Sequence, residues 1–213
     1  PKMTEPYFNV ASIYFDIGRC DLAIEKYKKI LEMTPDDYEV NYFIALAYFK
    51  NREYSKGLKY FENRLCRKSA VLTQEHTYPN LMQKAKLWNG ENVPDKTIYT
   101  YYEAGFGDVI MFSRYLPLLQ QRCKKIIFKP QQPLYQLYKD NFPQIHTMEY
   151  FEPEKDIDFD YHIPILSLPL ALGLDEKNMF ISKDSYLRAD KNKVEIYKKN
   201  YFNNNKFKVA FKW

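Results

Sequence analysis

The chain has 213 residues, 46% of them apolar, which is enough for a real core and too many for a disordered polypeptide. Its net charge of +5 is spread evenly, with 12 basic and 10 acidic side chains in residues 1–69 and 20 and 17 in the remainder, so no basic face for nucleic acid is implied. Three isolated cysteines (Cys20, Cys66 and Cys123) make neither a disulfide framework nor a Cys-x-x-Cys metal pattern, and no apolar run approaches the roughly 20 residues that span a bilayer.

Free thiols and the lack of a signal-peptide core in Pro1–Pro6 predict a cytoplasmic setting. An opening without Met and an end inside the apolar run Val209–Trp213 give the expectation of a piece of a longer protein.

The first 69 residues carry an internal repeat. A shift of 34 places aligns Val10 with Ile44, Ala11 with Ala45, Tyr14 with Tyr48, Ala23 with Gly57 and Tyr27 with Phe61. Ala11 and Ala23 are the small residues that let two antiparallel helices approach, and Tyr14 and Tyr27 fill the space beside them. Gly18 marks the turn between helices, Pro35 follows the second helix, and Asp21 is expected as that helix's N-cap. The second unit has Arg52 for the turn glycine and Ser69 for the closing proline, and Pro79 argues against a third. Residues 70–88 are expected to cover the apolar end of the stack.

This pattern resembles the tetratricopeptide repeat over residues 4–69. The resemblance implies a protein or peptide partner held on the inner face of the first helices, at Phe8, Ser12, Phe15 and Asp16, then Tyr42, Leu46, Phe49 and Lys50. The plainer expectation is that these aromatics pack against residues 70–88 or the following domain.

From about residue 97 the period changes. Thr97–Tyr102 reads as a buried strand and Gly105–Asp108 as a tight turn. Val109–Gln121 reads as a helix bent at Pro117, and Lys125–Lys129 as a second strand. Leu134–Asn141 reads as a helix opened by Pro133, Ile145–Met148 and Tyr161–Pro164 as short strands, and Leu166–Leu172 as a helix closed by Gly173. Lys193–Tyr201 is a further helix and Lys208–Trp213 a further strand. Alternating strands and helices predict a parallel sheet. The domain plan is thus residues 1–69 as helical repeats, 70–96 as a capping helix and linker, and 97–213 as an α/β unit. The fold class is α plus α/β.

A strand followed by Gly-x-Gly and a helix opens a dinucleotide fingerprint, but Ile110 occupies the third glycine position and Lys129 stands where a ribose-binding acid belongs. Asp108 also sets a negative charge where a pyrophosphate would sit.

A different resemblance covers residues 86–213. Trp88-Asn89-Gly90, then Glu103 through Pro117, Phe128 through Leu134, Phe159 through Gly173 and Tyr186 through Asp190 occur in order. This resembles bacterial tetratricopeptide proteins whose C-terminal part is similar to glycosyltransferases of the heptosyltransferase and O-linked N-acetylglucosamine transferase type. The resemblance implies a Rossmann-like acceptor lobe of a two-lobed GT-B enzyme, with Gly107 and Asp108 at the position of the family's catalytic carboxylate.

Asp108 would take the acceptor hydroxyl proton, Glu103 is a second and weaker carboxylate, and Gly105, Phe106, Gly107 and His162 would line the acceptor cleft. The alternative for Asp108 is that it caps its helix. The resemblance covers only the acceptor lobe, so no cofactor is expected in these residues. A nucleotide sugar is expected for the full-length parent, a sugar acceptor is a possible partner, and the fragment alone should transfer no sugar. A non-catalytic repeat scaffold is the alternative function. His76 and His146 have no neighbours that suggest a metal site.

Overall fold

The computed structural model describes residues 4–67, 85–149, 157–180, 185–204 and 207. Two helical hairpins come first: α1 (Glu5–Asp16) with α2 (Cys20–Met33), and α3 (Tyr38–Lys50) with α4 (Tyr54–Phe61), the last running into a 3-10 turn at Glu62–Cys66. Each hairpin is closed by the same paired hydrogen bonds. Gly18 N–H donates to Phe15 O and Arg19 N–H to Tyr14 O; 34 residues later Arg52 donates to Phe49 and Glu53 to Tyr48. This closure needs a left-handed residue, which Gly18 supplies at φ +81° and Arg52 at φ +61°.

One expectation fails locally. Asp21 is not the N-cap of α2, because the helix already begins at Cys20 after Arg19. Asp21 lies in the first turn, where the Leu22 backbone N–H and the Arg19 side chain hold its carboxyl below the usual range.

The α/β part is a five-stranded sheet in the order β1-β5-β2-β3-β4, and every pair is parallel, as the alternation of elements predicts. The strands are β1 (Lys86–Leu87), β2 (Val93–Tyr101), β3 (Cys123–Lys129), β4 (His146–Thr147) and β5 (Tyr161–Pro164). β2 begins at Val93 rather than Thr97, with an irregularity in its pairing to β3 between those two residues. Residues 86–87, expected within the linker, form the edge strand.

The helix expected as one bent rod over 109–121 is α5 (Phe106–Phe112), a 3-10 turn (Ser113–Tyr115) and α6 (Leu116–Gln120). Pro117 sits in the first turn of α6, where its missing N–H removes no helical bond, so it starts a helix instead of bending one. Next come α7 (Tyr135–Asn141), the single turn α8 (Leu168–Ala171) and α9 (Lys191–Tyr201), the last capped by Asp190 accepting from Lys193 N–H at 2.7 Å. The strand expected at Lys208–Trp213, Ser69, most of the cover expected at 70–88 and His76 lie outside the described residues.

One face of the sheet, with Ile98, Ile126, Phe128 and Ile163, packs under the crossover helices in a core that also contains Ala45, Leu58 and Phe61 of the second hairpin. The opposite face carries Tyr99, Tyr101, Ile127 and Met148 beneath Ile157 and Phe159. The first hairpin closes a separate core around Ala11, Ala23, Tyr27 and Ile30. Gly90 joins the Trp-Asn-Gly segment to the sheet unit: at φ +101° it lies so close to α8 that a Cβ there would stand 1.9 Å from the Ala171 carbonyl oxygen.

Candidate functional site

The turn after β2, the middle strand, presents the residues that sequence singled out. Ala104 is its left-handed residue, at φ +61°, with its carbonyl held by Gln131 Nε2 at 3.2 Å. The left-handed conformation falls on neither glycine. Gly105 has an ordinary φ of −82°, and a Cβ on Gly107 would meet nothing within 4 Å. Asp108, at the third position of α5, is half-buried and its Oδ2 accepts the Gly105 N–H at 3.0 Å. That is the capping role. Gly105, Phe106 and Gly107 are exposed beside it.

Glu103 belongs to a different structure. Its two carboxylate oxygens accept from Arg64 Nε at 3.0 Å and Nη2 at 2.6 Å, and Oε1 also accepts from Leu166 N–H at 3.2 Å. Arg64, only 6% exposed, further donates to Glu62 Oε1 at 2.7 Å, Ser167 Oγ at 2.7 Å and Phe61 O at 3.3 Å. Ser167 Oγ in turn donates to Glu62 at 2.8 Å. Burial alone would disfavour the Arg64 charge, but Glu103 and then Glu62 outweigh it and hold the guanidinium protonated. One guanidinium thus joins the end of the helical repeats to the ends of β2 and β5. The 34-residue pattern carries no signal for it, since Arg64 lies in the 3-10 turn where the repeat has already broken.

His162 is buried in β5, with Nδ1 3.3 Å from the Tyr101 hydroxyl and the two rings stacked. Burial lowers its pKa and favours neutral imidazole. Burial, and then the Glu103 carboxylate, push the Tyr101 hydroxyl well above its ordinary range. His162 is therefore a core histidine in an aromatic pair. Asp108 is the remaining half-exposed carboxylate of the sequence-selected set. Three surface cavities lie elsewhere: one beside β4 lined by Tyr135, Lys139 and His146, one near Asp37 and Arg67, and one near Asn141 and Arg188.

The aromatic residues selected for a peptide groove divide between the two cores. Phe8 sets its edge on Tyr27 and Phe43 at 5.5 and 5.1 Å, and Ser12 Oγ donates to Phe8 O at 3.0 Å and lies 3.3 Å from the Tyr27 hydroxyl. Phe15 takes the Lys50 ammonium over its ring at 4.4 Å, while Asp16 is exposed. Tyr42 stacks on Phe61 at 5.9 Å, with the Arg67 guanidinium 4.1 Å from its ring centroid. Phe49 packs edge-on to Phe61 at 5.4 Å. Tyr42 and Phe49 pack against the core that the second hairpin shares with the sheet. Leu46 is half-buried and belongs to neither core.

A second contact missed in the sequence caps α4. Glu176, from the loop after α8, accepts from Ser55 N–H at 2.9 Å and Ser55 Oγ at 2.8 Å, satisfying an orphan donor of the helix start. Tyr54 meets Phe180 edge-on beside it at 5.5 Å.

Residues 4–37 match the family model of the tetratricopeptide repeat. The matched segment is the first hairpin together with the turn into α3. A tetratricopeptide repeat points to a protein-interaction module and to protein partners. No curated protein and no solved structure matches the chain. Among the described residues, no helix is long and apolar enough to cross a membrane, and no group of three or more His, Cys, Asp and Glu side chains could hold a metal ion.

Proposed function

We propose that this chain is a protein-interaction module whose tetratricopeptide hairpins are anchored on an α/β unit, which holds the second hairpin in a fixed pose. The observation that carries this reading is the tetratricopeptide match at residues 4–37 on a hairpin that shares a core with α3. The α/β unit contributes Glu103, Ser167 and Glu176 to that anchoring. A photo-crosslinking residue at Leu46, compared with one at exposed Lys124, tests it in the full-length protein. A discrete protein adduct from position 46 and none from 124 is expected; equal labelling at both positions refutes the reading.

A second reading has one observation in its favour: a half-exposed carboxylate, Asp108, just beyond the end of the middle strand of an all-parallel sheet. On this reading the α/β unit is Rossmann-like, the acceptor half of a GT-B glycosyltransferase. Asp108 is the base, and the nucleotide sugar binds a donor lobe elsewhere in the polypeptide. The chain alone then transfers no sugar. Titration calorimetry of the full-length protein with nucleotide sugars tests this, together with Asp108→Asn. Binding, with turnover lost in the variant while its melting temperature holds, supports sugar transfer. Absence of binding removes it and leaves the scaffold.

A further inference from the structure

The outer edge of the sheet concentrates unmet polar groups on one residue. β4 is the last strand in the sheet order, with β3 on its inner side. Met148 N–H donates to Phe128 O at 2.8 Å, so Met148 faces β3. By the alternation of a strand, the N–H and C=O of Thr147 point the other way, off the sheet. Among the described residues nothing bonds to either group. Thr147 Oγ1 is also without a partner, although the residue is only 9% exposed. Buried polar groups are rarely left unpaired in a folded protein. Thr147 is therefore where an incoming chain would gain hydrogen bonds that the protein alone does not make.

This edge borders the cavity beside β4, whose volume is about 1020 Å³. That is at the top of the usual range for small-molecule clefts, roughly 300–1,000 Å³. Tyr135, Lys139 and Asp140 of α7 line one side, and His146, Thr147 and Glu149 the other. Thr147 pairs with Phe128 and shares its sheet face, and the Phe128 ring meets Tyr138 of α7 at 5.1 Å, so the Thr147 side chain lies on the helix side. The Tyr135 hydroxyl donates to Glu149 at 3.0 Å and Gln136 Nε2 to Asp140 at 2.7 Å, which fixes both carboxylates at the rim. With His146 counted as neutral, Asp140 and Glu149 against Lys139 leave one negative charge unbalanced. A groove between a helix and an open strand edge suits an extended peptide that adds to the sheet. We propose that the β4 edge beneath α7 binds an extended polypeptide segment as a sixth strand. The segment pairs with the Thr147 backbone and sets a Lys or Arg against Asp140 and Glu149. This surface is separate from the helical repeats and from the turn that carries Asp108, and it is independent of both readings above.

The test pans a display library of random peptides on the full-length protein and measures the selected peptides by fluorescence anisotropy. Binders rich in β-branched residues with a Lys or Arg are expected. Thr147→Pro should weaken them about tenfold or more. Proline there removes the outward N–H and spares the ladder to β3, which the neighbouring residues make, so the melting temperature should hold. If Thr147→Pro does not fold, N-methylation of the selected peptides replaces it. Methylating alternate residues should weaken binding about tenfold in one register and leave it nearly unchanged in the other, because only every second N–H of an added strand faces β4. A library that yields no binder overturns the proposal. So do selected peptides that bind Thr147→Pro as tightly as the original chain, or whose methylation pattern does not alternate. Sedimentation showing a dimer that Thr147→Pro dissolves would assign the edge to a second copy and overturn it too.

Discussion

The two helical hairpins share one 34-residue template and are stabilised in different ways. The first packs within the repeat: Ala11, Ala23, Tyr27 and Ile30 close a core with Ile44 and Ala47 of α3, and Gly18 takes the left-handed turn without steric cost. The second departs from the template at three points. Arg52 takes the strained turn, Gly57 replaces Ala23, and α4 ends in a 3-10 turn. Its compensation comes from outside the repeat, in the Arg64 network, the Glu176 cap and the core shared with the sheet. The lesson is that a degenerate repeat need not be an unstable one, because long-range contacts can replace what the local sequence has lost.

The largest effect should come from breaking the joint. Arg64→Met leaves Glu62 and Glu103 facing a buried site without their cation, and should cost about 3–5 kcal/mol in urea unfolding. Removing a first-hairpin ion pair instead, by Lys29→Ala at the exposed Lys29–Glu32 contact, should change stability by less than about 0.5 kcal/mol. Similar costs for the two variants would erase the distinction between the hairpins.

The next effect concerns one template position in its two settings. A Cβ at Gly57 would lie 2.5 Å from the Phe49 ring, so Gly57→Ala should cost about 1–3 kcal/mol by forcing that ring out of the shared core. The matching change in α2, Ala23→Gly, should cost about 1 kcal/mol through helix propensity. Thermal denaturation of the two variants compares them, and a neutral Gly57→Ala would mean that Phe49 moves freely.

Acid should act on the sheet side. His162 has a folded pKa lowered by burial, so between that value and its unfolded value near 6.5 the unfolded chain binds more protons. Its neutral burial is fully tolerated above about pH 6.5, and stability falls as pH drops through that window. His162→Gln should flatten this part of the stability profile. Hydrogen exchange on lowering the pH should show β5 and the second hairpin loosening before α1 and α2; the reverse order would contradict the division.

The smallest effects lie at the turns. Arg52→Gly should gain up to about 1 kcal/mol by relieving a left-handed side-chain residue, and Gly18→Ala should lose about as much. Chemical denaturation midpoints measure both, and equal signs would show that the two turns are not equivalent.

The sequence by itself determined the paired helices and the alternation of strands with helices, but not the edge strand at Lys86–Leu87 or the division of the 109–121 helix. Small and aromatic residues at a 34-residue period specify the first hairpin, and alternation of strand and helix specifies a parallel sheet, because both patterns are local and recur. It also marked Asp108 and Glu103 as carboxylates near one turn. It could not assign their different roles. Glu103 is neutralised by an arginine 39 residues away, and the cap of α4 comes from a glutamate 121 residues beyond Ser55. Pairings of that kind depend on where the folded chain brings two charges together. Neither partner has a local pattern that announces the other, so only the tertiary structure decided that one carboxylate fastens the repeats to the sheet and the other stays half-exposed at the strand end.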